Sequence, residues 1–379
     1  MNITTPPMGW NSWNTFGENI SEELIMGIAD TMLEKGYKDA GYEYVVIDDC
    51  WSLKQRDENG KLVADPKKFP HGMKYVADYV HSKGLKFGMY SCSGTMTCAG
   101  YPASYGHEYD DAKTFAEWGI DFLKYDFCHF PKSGDAKNAY LTMSLALRSC
   151  GRDILFSACN WGACESWTWM RSVGAHMYRS TGDLFDSFVA YRDIVNSQEN
   201  NFSMSAPNCF NDMDMLIVGM YGDGNVGIKS GCTDDEYEMH FALWCMYGTP
   251  LMIGGDIRNV NEFSRKLMQN KELIEINQDA ESRPPVHFGY ANTGANGDNR
   301  VLFKLLSNNE YVIGFFNYSD SDMEMSVNFT DIGIPYNSGM ALDLHNVITG
   351  QNLGLIRDYY MEKVKTHSCI ILKGKLTKI

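Results

Sequence analysis

Over the first three quarters of the chain, short apolar runs alternate with stretches whose apolar residues recur every three to four positions. That pattern predicts βα units feeding a parallel sheet. The apolar runs fall at 7–10, 42–47, 85–91, 120–125, 154–159, 175–179, 207–210 and 250–253. Between and after them, helical periodicity spans 21–35, 72–83, 106–118, 136–149, 166–173, 186–198, 234–247 and 260–269. Gly84 and Gly151 stand just past two of these helices, where a left-handed residue closes a helix. Eight βα units close a TIM barrel. Beyond about residue 280 the pattern changes. A Gly- and Asn-rich stretch, 290–299, precedes period-two alternation at 300–306, 310–317, 323–329, 359–364 and 367–373. Ser307-Asn308-Asn309 is a hairpin signal between two of those runs. The expected architecture is an α/β chain: a (β/α)8 barrel over residues 1–283, then a small C-terminal antiparallel β-sandwich over 284–379.

Composition agrees with two packed domains, since 379 residues at 44% hydrophobic can bury a large core. Charge narrows the partners. Lys plus Arg total 33 against 48 Asp plus Glu, a formal charge of −15. Clustered positive charge is what nucleic acids and anionic membranes require, so neither is an expected partner. No apolar run reaches the roughly 18 residues of a membrane helix. Met1 to Pro6 has no basic start or apolar stretch of a secretory signal, so the expected location is the cytoplasm, or outside the cell if a signal was trimmed. Eleven cysteines, odd in number and without framework spacing, suit mostly free thiols.

In such a barrel the chemistry sits at the C-terminal ends of the strands. Those ends carry Asp48 and Asp49, Asp126, Asp183, Asp212 and Asp214, and Asp256. Carboxylates on one rim can accept paired hydrogen bonds from sugar hydroxyls, and two of them can cleave a glycosidic bond. Trp10, Trp13, Trp51, Tyr90 and Trp161 fall near the same rim, where flat faces suit the C–H surface of a sugar. Not every acid there need be chemical. Asp256, in Gly254-Gly255-Asp256, reads as the N-cap of the last barrel helix. Lys124 precedes Asp126 by two, so both side chains point to one side of the strand and the lysine is expected to keep Asp126 ionised. Position alone does not choose between Asp183 and Asp186.

At these residues the chain resembles glycoside hydrolase family 27, the α-galactosidases and α-N-acetylgalactosaminidases. The similar stretches are Thr5-Pro6-Pro7-Met8-Gly9-Trp10-Asn11-Ser12-Trp13, Ile47-Asp48-Asp49-Cys50-Trp51 and Leu123-Lys124-Tyr125-Asp126 with Cys128. Arg179 with Asp183, and Asn211-Asp212-Met213-Asp214-Met215, complete the set in order across nearly the whole chain. The resemblance implies a retaining exo-glycosidase that removes terminal α-linked galactose, with Asp126 as nucleophile and Asp183, rather than Asp186, as acid/base. It also implies that Asp48 and Asp49 bind the 4- and 6-hydroxyls, that Lys124 holds a neighbouring hydroxyl, and that Arg179 serves the 2-position. Trp13, Tyr90 and Met215 are expected to line the pocket, Asp214 to orient its neighbours, and Asn160 to bond the 2-hydroxyl; Cys128 is expected beside them. Cys98 and Cys128 match a pair that is disulfide-bonded in secreted members. In the retaining mechanism Asp183 protonates the leaving oxygen while Asp126 attacks the anomeric carbon, and water then hydrolyses the glycosyl-enzyme. This division of labour leads us to expect an Asp126 pKa lowered by Lys124 and an Asp183 pKa raised by burial.

Two departures bear on substrate. Cys159-Asn160-Trp161-Gly162 stands where α-galactosidases often carry Cys-Glu-Trp, and Asp49 is shorter than the Glu of family arabinopyranosidases. Galactose is therefore favoured over N-acetylgalactosamine or β-L-arabinopyranose. The expected partner is an α-galactoside oligosaccharide or glycoconjugate; oligomeric state stays open, and no cofactor or metal is expected. Gly222-Asp223-Gly224-Asn225-Val226-Gly227 spells a dinucleotide motif but follows no suitable first strand. The rival readings are a Mg²⁺-dependent barrel lyase or aldolase, and a galactose-binding protein without chemistry.

Overall fold

A computed structural model describes residues 1–198, 201–288 and 300–379, so the expected Gly- and Asn-rich stretch 290–299 lies outside the described residues. The barrel strands are β1 (Met8–Asn11), β2 (Tyr44–Val46), β3 (Lys86–Cys92), β4 (Phe122–Asp126), β5 (Leu155–Cys159), β6 (Met177–Arg179), β7 (Phe210–Asp212) and β8 (Leu251–Ile253). They pair in parallel in the order β7-β6-β5-β4-β3-β2-β1-β8. The ring closes just past β7, where Leu216 bridges Ile253 of β8. Its backbone completes the ladder, with Leu216 N donating to Met252 O at 2.7 Å and Gly254 N to Leu216 O at 2.9 Å. Register fixes which side chains share a layer. Tyr90 lies beside Lys124, Cys92 beside Asp126, and Arg179 beside both Cys159 and Asp212.

Local signals explain the helix ends. Helix Gly72–Ser82 stops because Gly84 can adopt φ +67°, a left-handed value that costs glycine nothing. Helix Asp234–Tyr247 starts in a capping box, Thr233 accepting from Glu236 N while the Glu236 side chain accepts from Thr233 N. This helix has ten buried residues and meets solvent mainly in its first turn, because barrel and sandwich cover the rest. Two expectations are corrected. The helix expected at 166–173 is two short 3₁₀ turns, Ala163–Thr168 and Met170–Val173. Asp256 is not an N-cap: Asn261 caps Glu262–Met268, and Asp256 instead accepts from Arg258 N and pairs with the Arg258 guanidinium at 2.8 Å. A further helix, Lys271–Asn277, follows, with Asn270 accepting from Glu272 N and Leu273 N as its cap.

The C-terminal strands are β9 (Val286–Phe288), β10 (Arg300–Leu305), β11 (Glu310–Asn317), β12 (Met323–Asn328), β13 (Met340–Asn346), β14 (Asn352–Ile356), β15 (Tyr359–Val364) and β16 (Ser368–Lys378). Six form an antiparallel sheet, β14-β13-β16-β11-β10-β9, and β12 pairs with β15 in a second. Alternate residues of the large sheet serve two cores. Leu302, Val312, Phe316 and Ile371 join the barrel core, while Val301, Ile313, Phe315 and Leu372 face β12 and β15. Burial on both faces explains the near-continuous apolar runs in β10, β11 and β16. Lys304 fixes the junction from inside, donating 2.9 Å to Ile276 O at the end of one barrel helix. No helix among the described residues is long and apolar enough to cross a membrane.

Candidate active site

The ends of β1, β2 and β4 build the first wall. Asp48 and Asp49 are both about 2% exposed. Asp48 Oδ2 accepts from Lys124 Nζ at 2.8 Å and from Asn11 Nδ2 at 2.8 Å. Two adjacent carboxylates repel unless their partners differ. Asp49 has its own: Ala99 N at 3.0 Å and Cys50 N at 2.7 Å. Burial outweighs those bonds and holds the Asp49 pKa above the ordinary range. Burial also works against the Lys124 charge, but Asp48 and Asp126 keep this lysine firmly protonated.

Asp126 closes β4 at the back of the pocket. Tyr90 Oη donates to its Oδ2 at 3.0 Å and Phe127 N to its Oδ1 at 2.9 Å. Its pKa was expected to be lowered by Lys124. The structure reverses this: burial pushes it up to about 6, and the opposing pull of Lys124 does not compensate. The reason is geometric, since the Lys124 ammonium is bonded to Asp48. Behind Asp126, the loops after β3 and β4 meet closely. A Cβ on Gly94 would overlap Cys128 O, so only glycine lets them approach. Cys98 and Cys128 are joined as a disulfide across this contact, with Cys98 Sγ 3.5 Å from Asp126 Oδ2. These three residues are the tightest group of metal-ligand types among the described residues. With both sulfurs spent on each other, that group does not fit a metal.

The ends of β6 and β7 build the opposite wall around Arg179. Its guanidinium bonds Asp214 Oδ1 at 2.7 Å and Asp183 Oδ1 at 2.8 Å. Asp214 holds φ +87°, strained for a residue with a side chain. Leu184 N, donating to its Oδ2 at 2.7 Å, and Trp244 Nε1, donating to its carbonyl at 2.8 Å, keep it there. Asp183 was expected to be buried. It is not: its side chain is 65% exposed at the pocket mouth, where Arg179 holds it. Asp186 has a different task. It is buried and accepts from Tyr237 Oη, Gly222 N and Cys232 N, pinning the loop that carries the dinucleotide-like motif.

One pocket gathers Trp13, Asp48, Asp49, Tyr90, Lys124, Asp126, Arg179, Asp183, Asp214 and Met215 from the expected set. Two members of that set lie off its wall. Cys128 has its sulfur in the disulfide and faces a neighbouring groove. Asn160 is fully buried and spends its amide on Ala163 O at 2.8 Å, so it bonds its own loop where a 2-hydroxyl was expected. Trp10 and Trp51 are core residues anchored through their indole N–H groups to Gly255 O and Tyr90 O. Asp212 lies beneath the pocket, beside Asn11 and Ser157. Sequence reasoning missed Asn14, Cys159, Leu184 and Val226, which line the pocket from the short helix after β1, the end of β5 and the loops after β6 and β7. Each is an ordinary residue type, so no local pattern marks it.

A parallel eight-stranded barrel whose rim gathers Asp48, Asp49, Asp126, Asp183 and Asp214 in one pocket, with Lys124 and Arg179 among them, has the architecture of a glycoside hydrolase. The comparisons with known proteins define it further. Residues 5–279 match the family model described as alpha galactosidase A, and residues 296–373 match the alpha galactosidase C-terminal beta sandwich domain. The chain belongs to the alpha-galactosidase family. It is 39% identical over 388 residues to alpha-galactosidase A of Cellvibrio japonicus, covering 97% of this chain and 91% of that one. Among solved structures it superposes on alpha-galactosidase I from Mortierella vinacea with a TM-score of 0.90 at 34% identity, covering 98% and 97% of the two chains. It also matches the Saccharomyces cerevisiae alpha-galactosidase solved with raffinose, TM-score 0.87 at 27% identity, covering 99% and 98%.

Proposed function

We propose that this protein hydrolyses terminal α-linked D-galactose with retention, using Asp126 as nucleophile and Asp183 as general acid and base. The observation that carries this reading is the placement of both carboxylates in one pocket, one ending β4 and the other following β6 on the opposite wall. A ring lying between them is anchored by Asp48, Asp49 and Lys124 on one side and Arg179 on the other. Asp126, aligned by Tyr90 and Phe127 N, attacks the anomeric carbon from below. Asp183, at the mouth, delivers its proton to the departing oxygen and then removes one from the incoming water. Its exposure in the free protein is removed when substrate fills the mouth, and that loss of solvent favours the protonated acid at that step.

Galactose is the favoured ring because Asp49 is a short carboxylate and so leaves room for a hydroxymethyl group. The relative solved with raffinose supports an α-galactoside as the substrate class. The test is early-time proton NMR of p-nitrophenyl α-galactoside turnover in EDTA, with the α-N-acetylgalactosaminide and β-L-arabinopyranoside alongside. We expect α-galactose first and the α-galactoside hydrolysed fastest. Early β-galactose, dependence on a divalent cation, or preference for another glycoside would each refute the proposal.

A further inference from the structure

Asp183 has an exposed side chain, and the chain around it, 180–187, is neither helix nor strand. Its position is therefore set by the bonds its neighbours make. On one side, Gly182 O accepts from the Arg179 guanidinium at 2.7 Å and Leu184 N donates to Asp214 Oδ2 at 2.7 Å. On the other stands Asp186, whose backbone N donates to Val226 O at 3.0 Å. Val226 belongs to the glycine-rich loop 222–232, which carries the dinucleotide-like motif and whose glycines the hydrolytic chemistry does not use.

Packing accounts for the motif. Both ends of the loop are fastened: Tyr221 N donates to Tyr237 Oη at 2.6 Å, and Cys232 N to Asp186 Oδ1 at 3.3 Å. Between them, Asn225 N donates to Thr15 O at 3.1 Å and Val226 N to Asn14 O at 3.0 Å. The loop thus bridges the β1 side of the rim and the segment that carries Asp183, and Val226 reaches the pocket from this crossing. A Cβ on Gly224 would press into Thr15 Cα, and one on Gly227 into Gly222 O. Only glycine lets the loop fold back on itself and touch the β1 side.

Asp186 is where these bonds converge. It is 1% exposed and accepts from three neutral donors, Gly222 N at 2.7 Å, Tyr237 Oη at 2.9 Å and Cys232 N at 3.3 Å. Burying a carboxylate among neutral donors is costly, so filling space is a poor account of it. What it secures is geometry. Its side chain holds both ends of the loop, and its backbone holds the middle, three residues from Asp183. A proton donor must lie within hydrogen-bond reach of the leaving oxygen, and a displacement of about 1 Å can cost about 100-fold. We propose that Asp186 is a positioning residue for the general acid and base, fixing the Asp183 segment against the pocket through the glycine-rich loop. The inference rests on the proposed function and adds a residue to its acid/base arm.

The experiment is a double-mutant cycle of Asp186→Asn and Asp183→Ala, read as kcat/KM on raffinose and on p-nitrophenyl α-galactoside. Alone, Asp186→Asn should lose about 10- to 100-fold on raffinose, whose leaving group needs a proton, and no more than about three-fold on the p-nitrophenyl substrate. Inhibition by galactose should stay within about three-fold, since Asp48, Asp49, Lys124 and Arg179 anchor the ring from outside this loop. In the Asp183→Ala background the same substitution should cost less than about two-fold on raffinose, because the acid it positions is gone. Gly224→Ala pushes the loop off Thr15 without altering Asp186, and should give the same selective loss at a few-fold size. It takes the place of Asp186→Asn in the cycle should that variant not fold. Equal losses on both substrates, or losses that simply multiply in the cycle, overturn the positioning role and leave Asp186 to the fold alone. Were Asp183→Ala itself to lose equally on both substrates, the acid/base assignment would fall, and this inference with it.

Discussion

Asp126 and Asp183 face one pocket from different worlds. Asp126 ends a central strand, is 6% exposed, and has a hydrogen bond on each oxygen, from Tyr90 Oη and Phe127 N. Asp183 sits in a loop, has a 65% exposed side chain, and is tied to the fold by one guanidinium. Burial raises the first to about 6, while the second meets solvent directly. A side chain's chemistry is thus set by what surrounds it, and a nucleophile wants the rigid position whereas an acid that must later act as a base wants access to water.

The largest effect should come from removing the rigid partner. Asp126→Ala should lose at least about 10⁴-fold in kcat on every α-galactoside, a scale seen when a covalent nucleophile is deleted. Azide should restore turnover as the β-galactosyl azide, since it attacks from the vacated face; an α-azide would reverse the two roles. Next is Asp183→Ala. Because a poor leaving group needs a proton and p-nitrophenolate does not, the loss should reach about 10²–10⁴-fold on oligosaccharides but be much smaller on the p-nitrophenyl substrate. In this variant azide should trap the glycosyl-enzyme as the α-azide. Equal losses on both substrates would remove Asp183 from its role.

The pH profile sharpens the contrast. Asp126 must be ionised to attack, so kcat/KM should fall about ten-fold per unit below pH about 6. Tyr90→Phe removes a bond that favours the ionised form, and should move that limb upward. A limb that stays put would detach it from Asp126. The smallest effect is on stability. A carboxyl whose pKa is raised by folding favours the folded state below its unfolded value, and that contribution is lost as pH rises through about 6. Asp126→Asn should therefore stabilise the fold above pH 6 by on the order of 2 kcal/mol, with the gain fading toward pH 4, as read by thermal unfolding at both pH values. Asp183→Asn, exposed on one side, should leave the melting temperature nearly unchanged.

The eight parallel strands, the change to antiparallel strands and the acids at strand ends were all legible in the sequence, because period and strand-end position are local properties of the chain. Helices Ala136–Ser149 and Asp234–Tyr247 were read to the residue, since Asp135, Gly151, Thr233 and Gly248 punctuate them. Strands β9, β13 and β14 were missed; β9 and β14 are exposed edge strands of the large sheet, and Gly354 interrupts β14. Only the tertiary structure decided which groups pair. Lys124 stands two residues from Asp126 in the chain, yet its charge goes to Asp48 from another strand, and Asn160 turns into its own loop. Periodicity says which face a residue is on, whereas electrostatics depends on distances between strands that are far apart in sequence and meet only when the barrel closes.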